Sequence, residues 1–333
     1  YKRLLSKARD YELDRHNVIL CTCSASSSKF LAKKLHVKQL LIDECAMCTE
    51  PETLIPLVKY KMIEKVVLLG DHMQLRPVVH SDFCKKLGME RSLFERYHKQ
   101  ALMLNIQYRM HKDICQFPSM AFYNNKLMTS PLITRGSSTL YHRSEFECTP
   151  IIFGHIEGSE QSLVVSTEEG NENSRANLEE VQQVVRIAKQ LTLDRTTRED
   201  EIAILTGYNA QVVEIKKKLA LNGMRDITVC TIMKSQGSEW KYVIVSTVRS
   251  CIREEIDEKP TRSWENSRLG FIADAHQINV CLTRAQEGLC IIGNSYLLES
   301  NVLWRKLLDH YRIHRCLTTA KAIKIKKRTS LRQ

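Results

Sequence analysis

Leu40-Leu41-Ile42-Asp43-Glu44-Cys45-Ala46 is an apolar run that ends in two adjacent carboxylates. Such a run is typical of a buried strand in a parallel sheet, where the ligand lies beyond the carboxyl ends of the strands. A second run, Val66-Val67-Leu68-Leu69, leads into Gly70-Asp71-His72-Met73-Gln74-Leu75-Arg76-Pro77. An isolated Asp-Glu pair is more often a solvated strand end, but two charged strand ends in succession predict one shared crevice. The sequence therefore predicts an α/β fold with chemistry at Asp43 and Glu44.

The composition is that of an ordinary globular protein with a basic excess. The chain has 333 residues, of which 43% are hydrophobic and 26% are charged. At ~150 residues per domain, this length predicts two domains, each with its own core. Lys and Arg outnumber Asp and Glu by 50 to 38, a formal charge of +12. This excess favours a polyanionic partner such as nucleic acid, although basic residues that serve solubility alone give the same total.

Cysteine usage indicates a reducing compartment, the cytoplasm and/or the nucleus. Most of the 12 cysteines lie within apolar runs, where a free thiol behaves as a small hydrophobic residue. Cys45 and Cys48 form a C-x-x-C pair, but no second pair stands at zinc-finger spacing, so we expect no metal there. No apolar run reaches the ~20 residues of a membrane span, and no signal peptide begins the chain. Because the first residue is Tyr1 rather than Met, we expect a segment of a longer chain.

The predicted elements form two successive αβ alternations. In the first, a helix at 1–14 and a buried strand at 18–24 precede the two strands above, which flank a helix starting at Thr49. Strand, helix and strand in that order predict a βαβ unit of a parallel sheet. The predicted domains are residues 1–85, a connector at 86–100, a second domain at 101–298 with a mobile loop at 130–176, and a helical, basic tail at 299–333.

Three polar stretches carry candidate binding residues. In Gln107-Tyr108-Arg109-Met110-His111, a guanidinium suited to phosphate lies beside an aromatic face suited to a base, or else Arg109 forms a surface ion pair and Tyr108 lies in the core. Ser235-Gln236-Gly237-Ser238-Glu239 follows a predicted strand and either lets a backbone approach a phosphate closely or makes a hairpin turn. Ser26-Ser27-Ser28 either contacts phosphates or, as we prefer, caps a helix at 29–35.

Basic residues concentrate in two places. Lys216-Lys217-Lys218 lies in a predicted helix and is most simply a solvated face. Residues 320–333 contain six basic side chains and no acidic one. Such a tail binds polyanions, acts as a nuclear address or is simply a solvated chain end.

Five stretches, taken in order, resemble motifs II to VI of the superfamily 1 helicases. They are the Asp43-Glu44 strand, residues 70–77, 107–111 and 235–239, and Asn279-Val280-Cys281-Leu282-Thr283-Arg284-Ala285. One such motif is a weak signal, but five in register over nearly the whole chain are specific. Their residues resemble those of the superfamily 1 branch that contains the nonsense-mediated-decay RNA helicase. The resemblance implies two RecA-like P-loop NTPase domains with parallel sheets, the first lacking its N-terminal part.

The resemblance also implies catalytic roles toward ATP. Asp43 would hold Mg²⁺ through water, and Glu44 would orient and deprotonate the attacking water. Gln74 would sense the γ-phosphate. Arg109 and Arg284 would neutralise the charge that develops on the transferred phosphoryl group.

Binding roles follow from the same resemblance. At the nucleotide, Tyr108 would stack on adenine and Glu239 would meet the ribose, with Gln107 and Gly237 beside them. Single-stranded RNA or DNA would lie in a groove lined by Thr22, Ser24, Pro77 and Thr231. The implied activity is Mg²⁺-dependent ATP hydrolysis coupled to 5′-to-3′ movement on that strand.

The sequence departs from the family pattern in two places. It has no phosphate-cradling G-x-x-x-x-G-K-[ST] loop, so we expect that loop upstream of Tyr1, or else a truncated form that no longer hydrolyses ATP. Met233 stands where the family often has an acidic residue. The alternative function is a non-catalytic helicase-fold scaffold, or coactivator module, that binds nucleic acid within a transcription or RNA-decay complex.

Overall fold

The computed structural model describes residues 2–32, 37–133, 141–142, 148–167, 170–193, 197–257 and 259–325. The chain divides into two units, Tyr1–Leu102 and Met103–Gln333, called unit 1 and unit 2 below. Across the described ranges, no helix combines the length and the apolar character needed to cross a bilayer.

Unit 1 contains one pair of parallel strands and several helices. Its helices are Lys2–Arg15 (α1), Cys23–Ser26 (α2), Lys29–Ala32 (α3), Glu50–Lys59 (α4), Asp82–Lys86 (α5) and Leu93–Tyr97 (α6), and its strands are Gln39–Ile42 (β1) and Lys65–Leu68 (β2). The strands are in register from Gln39 opposite Lys65 to Ile42 opposite Leu68. Because α4 joins β1 to β2, the predicted strand-helix-strand unit is confirmed.

Helix α4 begins where the sequence predicts, because hydrogen bonds between nearby residues cap its first turn. Thr49 Oγ1 accepts a hydrogen bond from Glu52 N at 3.4 Å, and Glu52 Oε2 accepts one from Thr49 N at 2.9 Å. This capping box satisfies two backbone donors at once, and Pro51 needs no partner in the first turn. At the earlier hydroxyl-rich loop, Ser28 Oγ accepts from Leu31 N at 3.4 Å, which supports the capping interpretation; residues 33–36 of the predicted helix lie outside the described ranges.

The buried strand predicted at 18–24 was wrong. Val18 and Leu20 are 75% and 91% exposed, and Cys23 begins α2, whose first turn is capped by Thr22. In the described part of unit 1, the sheet consists of β1 and β2 alone. An apolar run forms a strand only where a neighbouring strand pairs with its backbone N–H and C=O groups, and no neighbour does so here.

Unit 2 holds the larger sheet. Its helices are Lys112–Phe122 (α7), Leu178–Thr192 (α8), Asn209–Leu221 (α9), Arg262–Leu269 (α10), Ala275–Leu282 (α11), Ser295–Leu298 (α12) and Val302–Ile313 (α13). Its strands are Ile106–Gln107 (β3), Met128–Thr129 (β4), Tyr141–His142 (β5), Cys148–Thr149 (β6), Ile151–His155 (β7), Glu160–Thr167 (β8), Gly170–Asn177 (β9), Ile202–Thr206 (β10), Thr228–Thr231 (β11), Trp240–Ser246 (β12), Ala285–Gly293 (β13) and Leu317–Thr319 (β14).

Six of these strands form a parallel sheet in the order β11-β10-β12-β13-β7-β14. Successive residues of a strand face opposite sides of the sheet. Ile152 and Cys290 therefore lie in the core beneath α8 and α9, whereas Ile151 and Leu289 meet α7 and α13 on the other face. With both faces covered, the sheet accounts for the continuous apolar runs of this half of the sequence.

The structure corrects one prediction about the polar stretches of unit 2 and decides one open alternative. The mobile loop at 130–176 contains an antiparallel hairpin, in which β8 and β9 pair from Glu160–Asn177 to Thr167–Gly170. Most of its side chains are exposed, so the hairpin lacks the apolar alternation that reveals a half-buried strand. A hairpin turn at 235–239 is excluded because β10 lies between β11 and β12. In the basic tail, residues 326–333 lie outside the described ranges.

Candidate functional site

The two carboxylates of unit 1 stand at the carboxyl edge of the β1-β2 pair. Asp43 and Glu44 are exposed, and Asp43 Oδ1 accepts a hydrogen bond from Glu44 N at 2.9 Å. Glu44 has φ of +50°, a left-handed conformation that is strained for a residue with a side chain. Such strain persists where the surrounding bonds hold the backbone, and here Cys45 N donates to Leu69 O at 2.8 Å.

The second charged strand end lies at the same edge, as predicted. Leu69 N donates to Ile42 O at 2.8 Å, so the strand pairing extends to the residues just before Gly70. A Cβ built on Gly70 would lie 3.0 Å from Ala46 N, which explains a glycine at this close approach of two backbones. The acidic end of β1 and the Gly70-Asp71 end of β2 therefore lie side by side at one edge of the strand pair.

Gln74 is held in place by its neighbour Asp71. Gln74 Nε2 donates to Asp71 Oδ2 at 2.9 Å, while Asp71 Oδ1 accepts from Met73 N at 2.9 Å. The sequence reasoning missed this role of Asp71, although the residue lies within a quoted motif. An Asp three residues before a Gln in a turn is the signal that could have revealed it.

Gln107 organises the Gln107–Met110 loop of unit 2. Its Oε1 accepts from Arg109 N at 2.8 Å and from Met110 N at 2.7 Å, and its Nε2 donates to Met110 O at 2.8 Å and to Thr129 Oγ1 at 2.6 Å. These four bonds use the full hydrogen-bonding capacity of a side-chain amide. Gln107 therefore shapes the loop, and Tyr108 on that loop is 60% exposed rather than in the core.

Arg109 and Glu239, two predicted site residues 130 positions apart, are bonded to each other. Arg109 Nε donates to Glu239 Oε2 at 2.5 Å, and Arg109 Nη1 donates to Thr283 O at 3.0 Å. Glu239 Oε1 also accepts from Gln286 Nε2 at 2.6 Å. The ion-pair alternative for Arg109 is thus confirmed, but its partner is a candidate site residue. The Arg109 and Glu239 side chains remain 29% and 42% exposed, so both can be reached by a ligand.

Arg284 is buried, with 1% of its surface exposed. Its Nε donates to Val280 O at 3.1 Å, its Nη1 to Ser238 O at 3.3 Å and its Nη2 to Thr283 Oγ1 at 3.0 Å. These bonds hold α11 against the turn that contains Gly237. Since the same guanidinium stabilises the local fold, a substitution of Arg284 would disturb structure as well as any role in catalysis.

In the turn after β11, the backbone at Gly237 is not covered by neighbouring atoms. Gly237 has φ of +79°, and an added Cβ there would meet no atom within 4 Å. The glycine is therefore required by the backbone conformation rather than by space. Thr231, at the end of β11, is half-buried, and its Oγ1 accepts from Lys234 N at 3.4 Å.

The predicted nucleic-acid residues of unit 1 have different surroundings. Thr22 is exposed and caps α2, where its Oγ1 accepts from Ala25 N at 3.1 Å. Ser24 is exposed, and its carbonyl accepts from Ser27 Oγ at 2.9 Å. Pro77 is buried, so its ring is not available for broad contact with a ligand.

Cysteines and acidic groups form no metal cluster in the described ranges. No group of three or more His, Cys, Asp or Glu side chains there has metal-binding geometry. Burial, followed by the nearby Cys23 and Cys45, raises the pKa of Cys48 to about 12, so its thiol stays protonated at neutral pH. Asp43 and Glu44 supply exposed oxygens of the kind that Mg²⁺ prefers when phosphates complete its coordination.

The family models that match this chain cover both units. Each is described as an AAA domain, one matching residues 1–82 and the other residues 89–296. The chain therefore belongs to the AAA domain family. Its resemblance to the nonsense-mediated-decay helicases is confirmed, because its relatives include Regulator of nonsense transcripts 1 proteins and the ATP-dependent helicase NAM7 of Saccharomyces cerevisiae. Together with the six-stranded parallel sheet, this membership confirms the RecA-like α/β fold class.

Particular relatives sharpen this assignment. The chain is 58% identical to the 3′-5′ exoribonuclease HELZ2 of Mus musculus and 56% identical to that of Homo sapiens, over 99% of this chain and 11% of each relative. HELZ2 is the helicase with zinc finger domain 2. The sequence of residues 231–240 resembles that helicase, and the identities over the whole chain confirm the resemblance. The Regulator of nonsense transcripts 1 homolog of Arabidopsis thaliana is 33% identical, over 95% of this chain and 24% of that protein.

Solved helicases are more distant. The structure of the PRRSV helicase is 16% identical, with a TM-score of 0.36, over 76% of this chain and 34% of that one. The chain thus spans only about a tenth of the length of the HELZ2 proteins that it matches.

Proposed function

We propose that the chain is part of an ATP-dependent translocase that moves 5′ to 3′ on single-stranded RNA or DNA. The observation that carries the proposal is the strand edge of unit 1, which Asp43 and Glu44 share with the Asp71-Gln74 turn. Acidic groups at the carboxyl edge of a parallel strand pair are suited to a metal-bound nucleotide. The basic charge of the whole chain supports a nucleic-acid track. The free thiols support a reducing compartment, the cytoplasm and/or the nucleus.

The residues of unit 1 would act on the attacking water. Glu44 would accept its proton, and Asp43 would hold Mg²⁺ through a water molecule. When bound, Mg²⁺ neutralises negative charge on the phosphates of ATP. Gln74, anchored by Asp71, would hydrogen-bond near the γ-phosphate and so report whether that group is present.

The residues of unit 2 would bind the nucleotide and neutralise charge. Tyr108 offers an exposed ring on which adenine can stack. Arg109 would leave part of its ion pair with Glu239 to meet the transferred phosphoryl group, while Glu239 would turn to the ribose. Arg284 would contribute a fixed positive charge from its buried position, and Gly237 an open backbone. Thr22, Ser24, Pro77 and Thr231 would line the path of the strand, Pro77 only through its backbone.

The test is ATP turnover with and without poly(U) or poly(dT). It is measured on the 333-residue chain and on a form extended upstream of Tyr1. In the form that turns over ATP, Glu44→Gln should abolish the turnover, and Arg109→Ala should lower it by about 10³ because an arginine finger contributes roughly that much. Arg109 is the better choice than Arg284, which is tied into the fold.

Glu64→Gln is the matched control. Glu64 is an exposed acid just before β2, its carboxylate 3.5 Å from Lys38 Nζ, at the opposite end of the strand from Asp71. Its substitution should leave turnover unchanged. If both forms fold and bind the polymers yet hydrolyse no ATP, the translocase proposal fails, and the scaffold interpretation takes its place.

A further inference from the structure

Two lysines lie beside the carboxyl end of the edge strand β11. Lys216 is exposed on α9, the helix that joins β10 to β11, and Lys234 is exposed in the turn directly after β11. They are 18 positions apart in sequence. Burial raises the pKa of the Cys230 thiol, and both ammonium groups act on that thiol in the opposite direction. Both charges are therefore within electrostatic reach of the last residues of β11.

Among the residues that the structure describes, these two cations have no acidic partner close by. Within the described ranges, no carboxylate oxygen lies within 4.0 Å of Nζ of Lys216 or Lys234. Neighbouring lysines are paired: Lys217 Nζ lies 2.7 Å from Glu214, and Lys241 Nζ lies 2.5 Å from Glu201. Two positive charges without a counter-ion on the same strand end create a positive potential that an anion would relieve.

The surface next to the lysines is suited to an extended, anionic chain. Thr231 ends β11 with a hydroxyl group, and Gly237 leaves open space above its backbone. Met233, between them in sequence, is 39% exposed and offers an apolar contact. Hydroxyl groups, backbone N–H groups and lysines are the groups that contact the phosphates of nucleic acids.

We propose that Lys216 and Lys234 bind phosphate groups of a single-stranded nucleic acid that passes the carboxyl end of β11. The inference deepens the proposed function, on which it rests. It adds two contact residues that lie outside the five stretches that resemble helicase motifs. Because lysine binds phosphate as a point charge, these contacts should not distinguish RNA from DNA.

The experiment measures fluorescence anisotropy of labelled U20 and dT20 with the 333-residue chain at several salt concentrations. Lys216→Gln and Lys234→Gln should each weaken binding about threefold to tenfold, and equally for the two oligonucleotides. The slope of log K against log salt should fall by roughly 0.7 for each phosphate contact removed. All of the altered side chains are exposed, so circular dichroism should show unchanged folding.

Lys217→Gln is the matched control. It removes the same charge from the same helix, but at a lysine that is already paired with Glu214. Its affinity and salt slope should stay within about twofold of the unaltered chain. If Lys216→Gln and Lys234→Gln behave like this control while the unaltered chain binds both oligonucleotides, the lysine site is refuted and the proposed function stands. If the unaltered, folded chain binds neither oligonucleotide, both proposals fail.

Discussion

In unit 1, the predicted acidic residues stand at the end of two strands that are largely open to solvent, whereas the predicted arginines of unit 2 are tied to their neighbours by hydrogen bonds and one of them, Arg284, is buried. Leu41 in β1 is 61% exposed, while Phe153 in β7 is fully buried. Asp43 and Glu44 are exposed, but Arg284 is buried and bonded to three neighbouring oxygens. The candidate acidic residues of unit 1 therefore have few neighbours that fix their side chains. Arg284 is instead held by the hydrogen bonds and the core of unit 2.

The largest expected effect comes from truncating a strand residue in each unit. Phe153→Ala should lower the unfolding free energy of unit 2 by about 3–5 kcal/mol, because it leaves a cavity in a packed core. Leu41→Ala should change the stability of unit 1 by less than about 0.5 kcal/mol, since that side chain is mostly in solvent. All three tryptophans, Trp240, Trp264 and Trp304, lie in unit 2, so their fluorescence in urea reports its unfolding alone.

Hydrogen exchange of the β1 and β2 amides reports unit 1. Equal losses for the two substitutions would contradict the contrast between an open and a closed unit. A large loss of stability in unit 1 on Leu41→Ala, with none in unit 2 on Phe153→Ala, would show that unit 1 is the more closely packed of the two.

A second prediction concerns two buried titratable groups of unit 2. Burial raises the pKa of Glu180 to about 7, although Ser246 and Val248 donate hydrogen bonds to its carboxylate. Burial, and then the neighbouring His314, lowers the pKa of His310 to about 4, against an opposing effect of Asp113. Glu180 holds Val248 at φ of +70°, a strained conformation for a β-branched residue.

The two groups act on stability with opposite signs. For Glu180 the folded pKa is above the ordinary 4.5, so its contribution is full below pH 4.5 and is lost as pH rises through 7. For His310 the folded pKa is below the ordinary 6.5, so its contribution is full above pH 6.5 and is lost as pH falls through 4. Each effect amounts to at most about 3 kcal/mol, and between pH 4.5 and 6.5 they should largely cancel.

Two substitutions separate these effects. Glu180→Gln should stabilise unit 2 at pH 8 by up to about 3 kcal/mol and should expose the loss of stability on acidification that His310 causes. His310→Phe, beside the ring of Phe117, should leave a chain that gains stability on acidification. Urea unfolding at pH 5, 6, 7 and 8, followed by tryptophan fluorescence, measures both. The same pH profile in both variants and the unaltered chain would refute these pKa directions.

The smallest effect concerns the strained backbone of unit 1. Glu44→Gly should raise the local stability of the β1-β2 edge by up to about 1 kcal/mol, because glycine adopts a positive φ without strain. Glu44→Ala, which keeps the Cβ, should give no such gain. Hydrogen exchange of the amides at 39–46 is the measurement. If alanine and glycine give equal protection, the strain at Glu44 is not what limits the stability of this edge.

Several features of the fold could be predicted from local sequence. The start of α4 follows from Thr49, Pro51 and Glu52, which lie within one turn of each other. The strands β1 and β2 follow from short apolar runs that end in charged residues. The strand at 18–24 was predicted wrongly and the hairpin within the predicted loop at 130–176 was missed, because strand formation depends on pairing partners that a local pattern does not reveal.

The candidate site shows the same division. The five motifs placed Asp43, Glu44 and Gln74 at a common strand edge, since neighbouring parallel strands end together. They did not reveal that Arg109 bonds Glu239 across 130 positions and Thr283 across 174, or that Arg284 is buried. Lys216 was interpreted as part of a solvated face and Lys234 was not singled out, because the sequence does not show which lysines have acidic partners.

The sequence by itself determined the family, the order of the strands and helices that carry the motifs, and the chemical types at the site. These depend on residue identity and on spacings of a few residues. The tertiary structure alone decided which candidate residues are buried, which are bonded to each other, and which cations lack an acidic partner within the described part of the chain. Burial and pairing depend on residues that are distant in sequence and meet only when the sheet of unit 2 has assembled.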